Sequence, residues 1–154
     1  MNPRNSWWLL VFIGVFVFAS SLFAEIVAEV GVDGTLTMED GTRVSLAGIQ
    51  MDTEGISVLR VLVRKQDLKI QIIAPTAPQT TKFVYAFLNT KCLKFPAKAH
   101  EIPGEQEILL NEFLVKIGAA KVDEKQDFSR KSKFLKVQES ARKKGEGVWS
   151  YEVP

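Results

Sequence analysis

A chain of 154 residues is the length of one domain, and it can bury a core without disulfides or metals to staple it. Apolar and charged residues make up 46% and 25% of it, ordinary values for a globular protein, and a net charge of +2 with a pI near 8.7 is too small an excess to indicate nucleic acid by itself. Cys92 is the single cysteine and His100 the single histidine, so an intrachain disulfide and a Cys/His zinc or iron site are excluded. His100 reads as a surface loop residue.

Residues 1–24 read as a targeting segment. Arg4 supplies a positive start, and residues 7–19 are an unbroken apolar run. Ala19-Ser20-Ser21 and Leu22-Phe23-Ala24 both end in small residues, which fits a signal peptide cleaved after Ser21 or Ala24. The rival is an uncleaved membrane anchor, but residues 7–24 fall a little short of the roughly 20 that span a bilayer. No cysteine lies near the cleavage region, which argues against a lipoprotein. Arg4 marks the inside end. The expectation is therefore export: a periplasmic or extracellular domain if cleaved, or one held outward on the cytoplasmic membrane through residues 7–24.

The folded domain is expected over residues 25–154. Residues 26–30 read as a first strand and Gly31-Val32-Asp33-Gly34 as a turn. Thr35-Leu36-Thr37-Met38 and Arg43-Val44-Ser45-Leu46 alternate polar and apolar, the pattern of half-buried strands, around a hairpin turn at Glu39-Asp40-Gly41. Residues 47–53 leave the sheet. From Glu54 the period becomes helical, with Ile56, Leu59 and Val63 on one stripe, widened by Val58, Val61 and Leu62. Residues 68–72 and 83–88 are strands, the second apolar throughout and so buried on both faces. Pro75 and Pro78 make the segment between them a loop.

Residues 89–107 form a connection longer than usual, carrying Lys91, Lys94 and Lys98 with Phe95 and Pro96. It reads as a surface insertion ahead of a binding loop, since loops tolerate insertions. Residues 108–117 read as a helix with Leu109, Phe113 and Ile117 on one face and Gly118 at its C-terminus. A last helix is expected from an N-cap at Asp127, with Leu135, Val137 and Ala141 on its apolar side. Gly145-Glu146-Gly147 stops it, and Trp149 is expected to pack back on the body.

The order TLTMEDGTRVSLAGI, then EGISVLRVLVRKQ, then LKIQII resembles the staphylococcal nuclease-like (thermonuclease) domains. LLNEFLVKIGAAKV, the basic RKSKFLKVQESARKKGEGVWS and Trp149 resemble the C-terminal half of the same family. No single motif is decisive; the ordered set, from about Ile26 to Tyr151, is the specific part. The resemblance implies an α+β fold, a five-stranded OB-fold-type β-barrel with three helices; a monomer is expected.

Phosphodiester hydrolysis needs carboxylates to hold a metal ion and position water, and cations to neutralise charge on the phosphoryl oxygens. The family supplies them from an Asp-Gly-Asp-Thr stretch, an Arg in Val-Arg-Leu, an Asp and a Glu before the first helix, and an Arg in a Tyr-Gly-Arg turn. Here those positions fall on Gly34, Ser45, Gln50, Thr53 and Thr81. Serine brings neither the charge nor the fork of a guanidinium. A shifted site built from Asp33, Arg43, Asp52 and Glu54, with Lys82 beside Thr81, would need several independent slips of register, and a one-residue slip turns a strand side chain to the opposite face. No cofactor is expected, and calcium only if such a shifted site exists.

Residues 116–144 hold ten bases against Asp123, Glu124, Asp127 and Glu139. The bland reading is a solvated helix face. The functional one is a surface for phosphates or anionic lipid, with Lys131, Lys133, Lys136, Arg142 and Lys143 as its binding residues. Three functions follow in order: a catalytically degenerate module that binds nucleic acid or a protein partner; an active metal-dependent phosphodiesterase; a structural envelope protein.

Overall fold

The computed structural model describes residues 23–64, 66–73, 82–89 and 107–151. The targeting segment through residue 22, the Pro75–Pro78 loop, Thr81 and the interior of the long connection lie outside them. The elements in chain order are β1 (Phe23–Val30), β2 (Leu36–Met38), β3 (Arg43–Leu46), β4 (Ile49–Gln50), α1 (Thr53–Val63), β5 (Asp67–Ile72), β6 (Lys82–Asn89), β7 (Glu107–Leu109), α2 (Leu110–Lys116), β8 (Lys121–Val122) and α3 (Lys131–Lys144).

Five strands neighbour one another in the order β3-β2-β1-β5-β6, and β6 pairs back, parallel, with β3. The pairings thus run in a ring. The fold is the α+β arrangement with three helices that the sequence resemblance implies. Its interior follows from alternation: Val44 and Leu46 of β3 point in while Arg43 is exposed and Ser45 half-buried. Strand β6 is apolar on both faces because both are covered. Val84, Ala86 and Leu88 fill the ring, while Tyr85 on the other face meets Phe134 of α3 edge-on at 6.5 Å.

Helix α1 starts where Asp52 accepts a hydrogen bond from the Gly55 N–H at 2.8 Å, an N-cap. Ile56, Leu59, Leu62 and Val63 are buried, but Val58 is exposed and Val61 is 78% exposed. The apolar face is therefore narrower than expected, because one stripe of a helix this short cannot turn six side chains to one core. Gly55 lets the helix lie directly on the turn before β8: a Cβ there would stand 1.9 Å from the Ala119 carbonyl oxygen.

Three further expectations need correction. Residues 107–109 are strand β7 on the end of β6, so α2 begins only at Leu110; the ladder with β6 takes residues whose spacing also suits a helix. Residues 47–53 leave the main sheet but contribute β4, which pairs with β8. Asp127 does not cap α3, which starts at Lys131 with Arg130 at its N-cap and no side-chain capping bond. Between them the chain dips to bury Phe128 against Phe134, ring centroids 5.3 Å apart. Trp149 is buried, as expected, after α3 ends at Gly145.

Asn111, fully buried on α2, joins the parts. Its Oδ1 accepts from Ala86 N at 3.0 Å, and its Nδ2 donates to the carbonyls of Ala47 at 3.0 Å and Val84 at 3.1 Å. One side chain thus satisfies backbone groups at the end of β3 and in β6.

Candidate functional site

The positions read from the sequence lie on the turn before β2, on β3, and on the path from β4 into α1. Asp33 leads the turn. Its Oδ1 accepts from Thr35 N at 3.0 Å and its Oδ2 from Thr35 Oγ1 at 2.9 Å. These bonds, the backbone one first, hold its carboxyl below the ordinary value, and Arg43 adds a smaller charge effect in the same direction. Asp40 does the same at the next turn. It accepts from Thr42 N at 2.7 Å and Thr42 Oγ1 at 2.8 Å, and its carboxyl is lowered chiefly by the Thr42 N–H. Asp33-Gly34-Thr35 and Asp40-Gly41-Thr42 are one device used twice, an Asp side chain closing a turn onto a Thr.

Gly34 has a φ of 79° and Gly41 one of 83°, the left-handed region open to glycine at little cost. At Gly34 the space above the backbone is also taken, since a Cβ there would stand 2.9 Å from Met51 Cε. Gln50 is exposed and faces Lys121 across the β4–β8 pair. Thr53 opens α1, and its carbonyl accepts from Ser57 Oγ at 2.9 Å. Ser45 pairs with Phe83 across the parallel ladder.

Of the shifted set, Asp33 closes a turn, Asp52 caps α1, and Arg43 and Glu54 are exposed. A calcium ion takes six to eight oxygens, several from carboxylates. Among the described residues no three His, Cys, Asp or Glu side chains group to hold a metal ion. At this edge both oxygens of Asp33 and one of Asp52 accept a local hydrogen bond.

The C-terminal bases are placed differently from one another. Lys131 donates to the Glu124 carbonyl at 2.7 Å. Lys133 pairs with Glu112 at 2.7 Å, and Lys143 with Glu139 at 3.5 Å one turn back along α3. Lys136 is exposed. Arg142 lies over the Trp149 ring at 5.6 Å, and Lys121 over the same ring at 4.5 Å. Arg130 stacks on Tyr85 at 5.3 Å, and the Tyr85 hydroxyl hydrogen-bonds Ser129 Oγ at 3.1 Å. Exposed ion pairs of this kind contribute little to stability, so the Lys133 and Lys143 pairs are cheaply exchanged for another anion.

Sequence reasoning missed Met51 over Gly34 and the two cations on Trp149, which are tertiary contacts with no local signature. It also missed what the repeated Asp-Gly-Thr says about Asp33, although both copies stand in the sequence.

Among the described residues no helix is long and apolar enough to cross a membrane. A comparison with curated proteins returns no match. Residues 77–151 match the family model described as staphylococcal nuclease homologue. That segment runs from before β6 through the Trp149 turn, the half that contributes Asn111, α2 and α3. Over residues 77–151, with the strand ring and three helices built around them, the chain is similar to the staphylococcal nuclease homologue family.

Proposed function

We propose that this domain is a nuclease-like module that no longer hydrolyses phosphodiesters and binds nucleic acid through the exposed cations of α3. One observation carries the loss of chemistry: Asp33 repeats, bond for bond, the ordinary turn at Asp40. The turn takes one acceptor site on each oxygen of Asp33 and fixes the carboxylate's direction, as it does at Asp40, where no site is expected. The other changes point the same way. Ser45 brings no charge to a phosphoryl group, and Gln50 and Thr53 bring no carboxylate. Thr81, at the second arginine position, lies outside the described residues.

Binding is supported by the surface of α3, where Lys133, Lys136 and Lys143 are exposed. The test is fluorescence anisotropy with labelled oligonucleotides over a salt series. Each phosphate neutralised should contribute about 0.9 to the slope of log affinity against log salt on duplex DNA. The triple variant Lys133→Glu, Lys136→Glu, Lys143→Glu should flatten that slope and weaken binding to all sequences alike, since phosphate contacts carry no base information. Absence of binding at about 50 mM salt, where such contacts are strong, would overturn the reading.

The proposal includes export, on the apolar run and Arg4. Phe23 and Ala24 pair with Ile70 and Lys69 in β1, so cleavage after Ser21 keeps that ladder and cleavage after Ala24 removes its end. Mass spectrometry of the mature protein should find Leu22 at the N-terminus. An intact Met1 in the membrane fraction would instead establish an anchor.

A further inference from the structure

We infer that the groove between α1 and β1 docks an extended segment of another protein that carries carboxylates at alternate positions. The groove holds about 550 Å³, the size of a ligand cleft. Val27 and Val63, both buried, make an apolar floor. Arg60 and Arg64 line it from the helix side, and Ala28 and Glu29 from the strand side, all four exposed. This surface shares no residue with the α3 cations and does not depend on the nucleic-acid reading above.

Local structure puts each wall together. Arg64 is the C-cap of α1 and keeps a helical φ of −60°, so it stays on the face of Arg60, four residues earlier. Arg60 Nε donates to the Val30 carbonyl at 3.3 Å. That bond holds the side chain along β1 and leaves its two terminal nitrogens for a ligand. Across the groove β1 is bulged: Val27 pairs with Met38 and Glu29 with Thr37, so Ala28 has no partner in β2. The extra residue lets two successive side chains, Ala28 and Glu29, both line the groove, where a regular strand would turn one of them away. Among the described residues neither arginine nor Glu29 is in an ion pair.

Charge and spacing name the occupant. Two guanidinium forks call for carboxylates or phosphates, which they grip with paired hydrogen bonds, and arginine clusters are how acidic motifs of proteins are read. Four helical residues rise about 6 Å. Two residues of an extended chain rise about 6.6 Å, so carboxylates at positions i and i+2 meet the two arginines together. The residue between them points to the opposite wall, where Glu29 favours a lysine. A nucleic-acid strand would bring its negative backbone against Glu29 as well.

The experiment is fluorescence anisotropy on the mature protein with two labelled peptides of one composition, Thr-Glu-Lys-Glu-Thr and Thr-Glu-Glu-Lys-Thr. Only the first has the spacing, and it should bind more tightly. Arg64→Gln should weaken it by about 2- to 5-fold, the range of one exposed ion pair, and leave the melting temperature unchanged. Arg60→Glu with Arg64→Glu should abolish its binding, while the α3 triple variant should keep it. No binding of the first peptide at low salt, equal affinity for the two peptides, or binding indifferent to both arginines would overturn the inference. So would an oligonucleotide whose affinity falls with Arg64→Gln, since the groove would then belong to nucleic acid. Failure of oligonucleotides to bind at all would remove only the reading above.

Discussion

Residues 23–64 and residues 82–151 use their polar side chains differently. In the first region Asp33, Asp40 and Asp52 turn oxygens back onto their own backbone, closing two turns and capping a helix. In the second, Asp123 closes one such turn and Gln138 accepts from Val122 N, but Lys133, Lys136, Lys143, Lys144, Arg142 and Tyr151 stand at the surface, and Asn111 is buried. The family match follows the same division, covering residues 77–151 and leaving out positions 34–53. A ring of strands can be kept by alternation, turns and caps alone. A catalytic edge also needs carboxylates left free, and the first region leaves few.

The sharpest way to break the comparison is at Asn111, where the regions are joined. Asn111→Ala would strand the Ala47 carbonyl and the Ala86 N–H, each costing roughly 1–3 kcal/mol when buried and unpaired, while the Val84 carbonyl keeps its bond from Ala47 N at 3.0 Å. A denaturant titration should show a large drop in midpoint with one cooperative transition. Two separate transitions would show that the regions fold independently. Phe134→Ala should cost about 3–5 kcal/mol as a core truncation, since Phe134 is fully buried between Tyr85 and Phe128. A loss below about 1 kcal/mol, well under the usual range for Phe→Ala, would mean that α3 packs less firmly than the structure has it.

In the first region, Gly34→Asp restores the carboxylate that the family resemblance assigns there. The left-handed backbone and Met51 oppose it, so it should cost about 1–3 kcal/mol as local strain and give no activity. Stability equal to wild type would show that the turn has room. The smallest effect concerns pH. The Asp33 carboxyl is held below its ordinary value of 3.8, so its contribution is complete above that pH and is lost as pH falls through the lowered folded value. The stability difference between wild type and Asp33→Asn should be constant above pH 3.8 and shrink below it. A difference that widened in acid would mean that the native turn binds its proton more tightly than the unfolded chain does.

Much of the ring was legible because alternation is local. Val44 and Leu46 announce the inward face of β3, and the unbroken apolar run of β6 announces burial on both sides. The two-residue strands β4 and β8 were not legible, being too short to show a period. Strand β7 was read as helix because Ile108 and Leu109 suit either, and only the partner strand decides. The start of α3 was misplaced because Asp127 looks like a cap, while the burial of Phe128 that delays the helix is tertiary. At the candidate edge the changed residue types could be read directly. That Gly34 takes a left-handed backbone under Met51, and that Asp33 and Asp52 are engaged, required the fold.

The proposed loss of hydrolysis is open to an assay of the unmodified protein. Purified protein is incubated with single- and double-stranded DNA and with RNA in the presence of calcium, and product ends are counted over hours. No cleavage above a metal-free control is expected. Calcium-dependent turnover abolished by Arg43→Ala or Glu54→Ala would contradict it, because it would mean that the shifted residues at this edge assemble a working site.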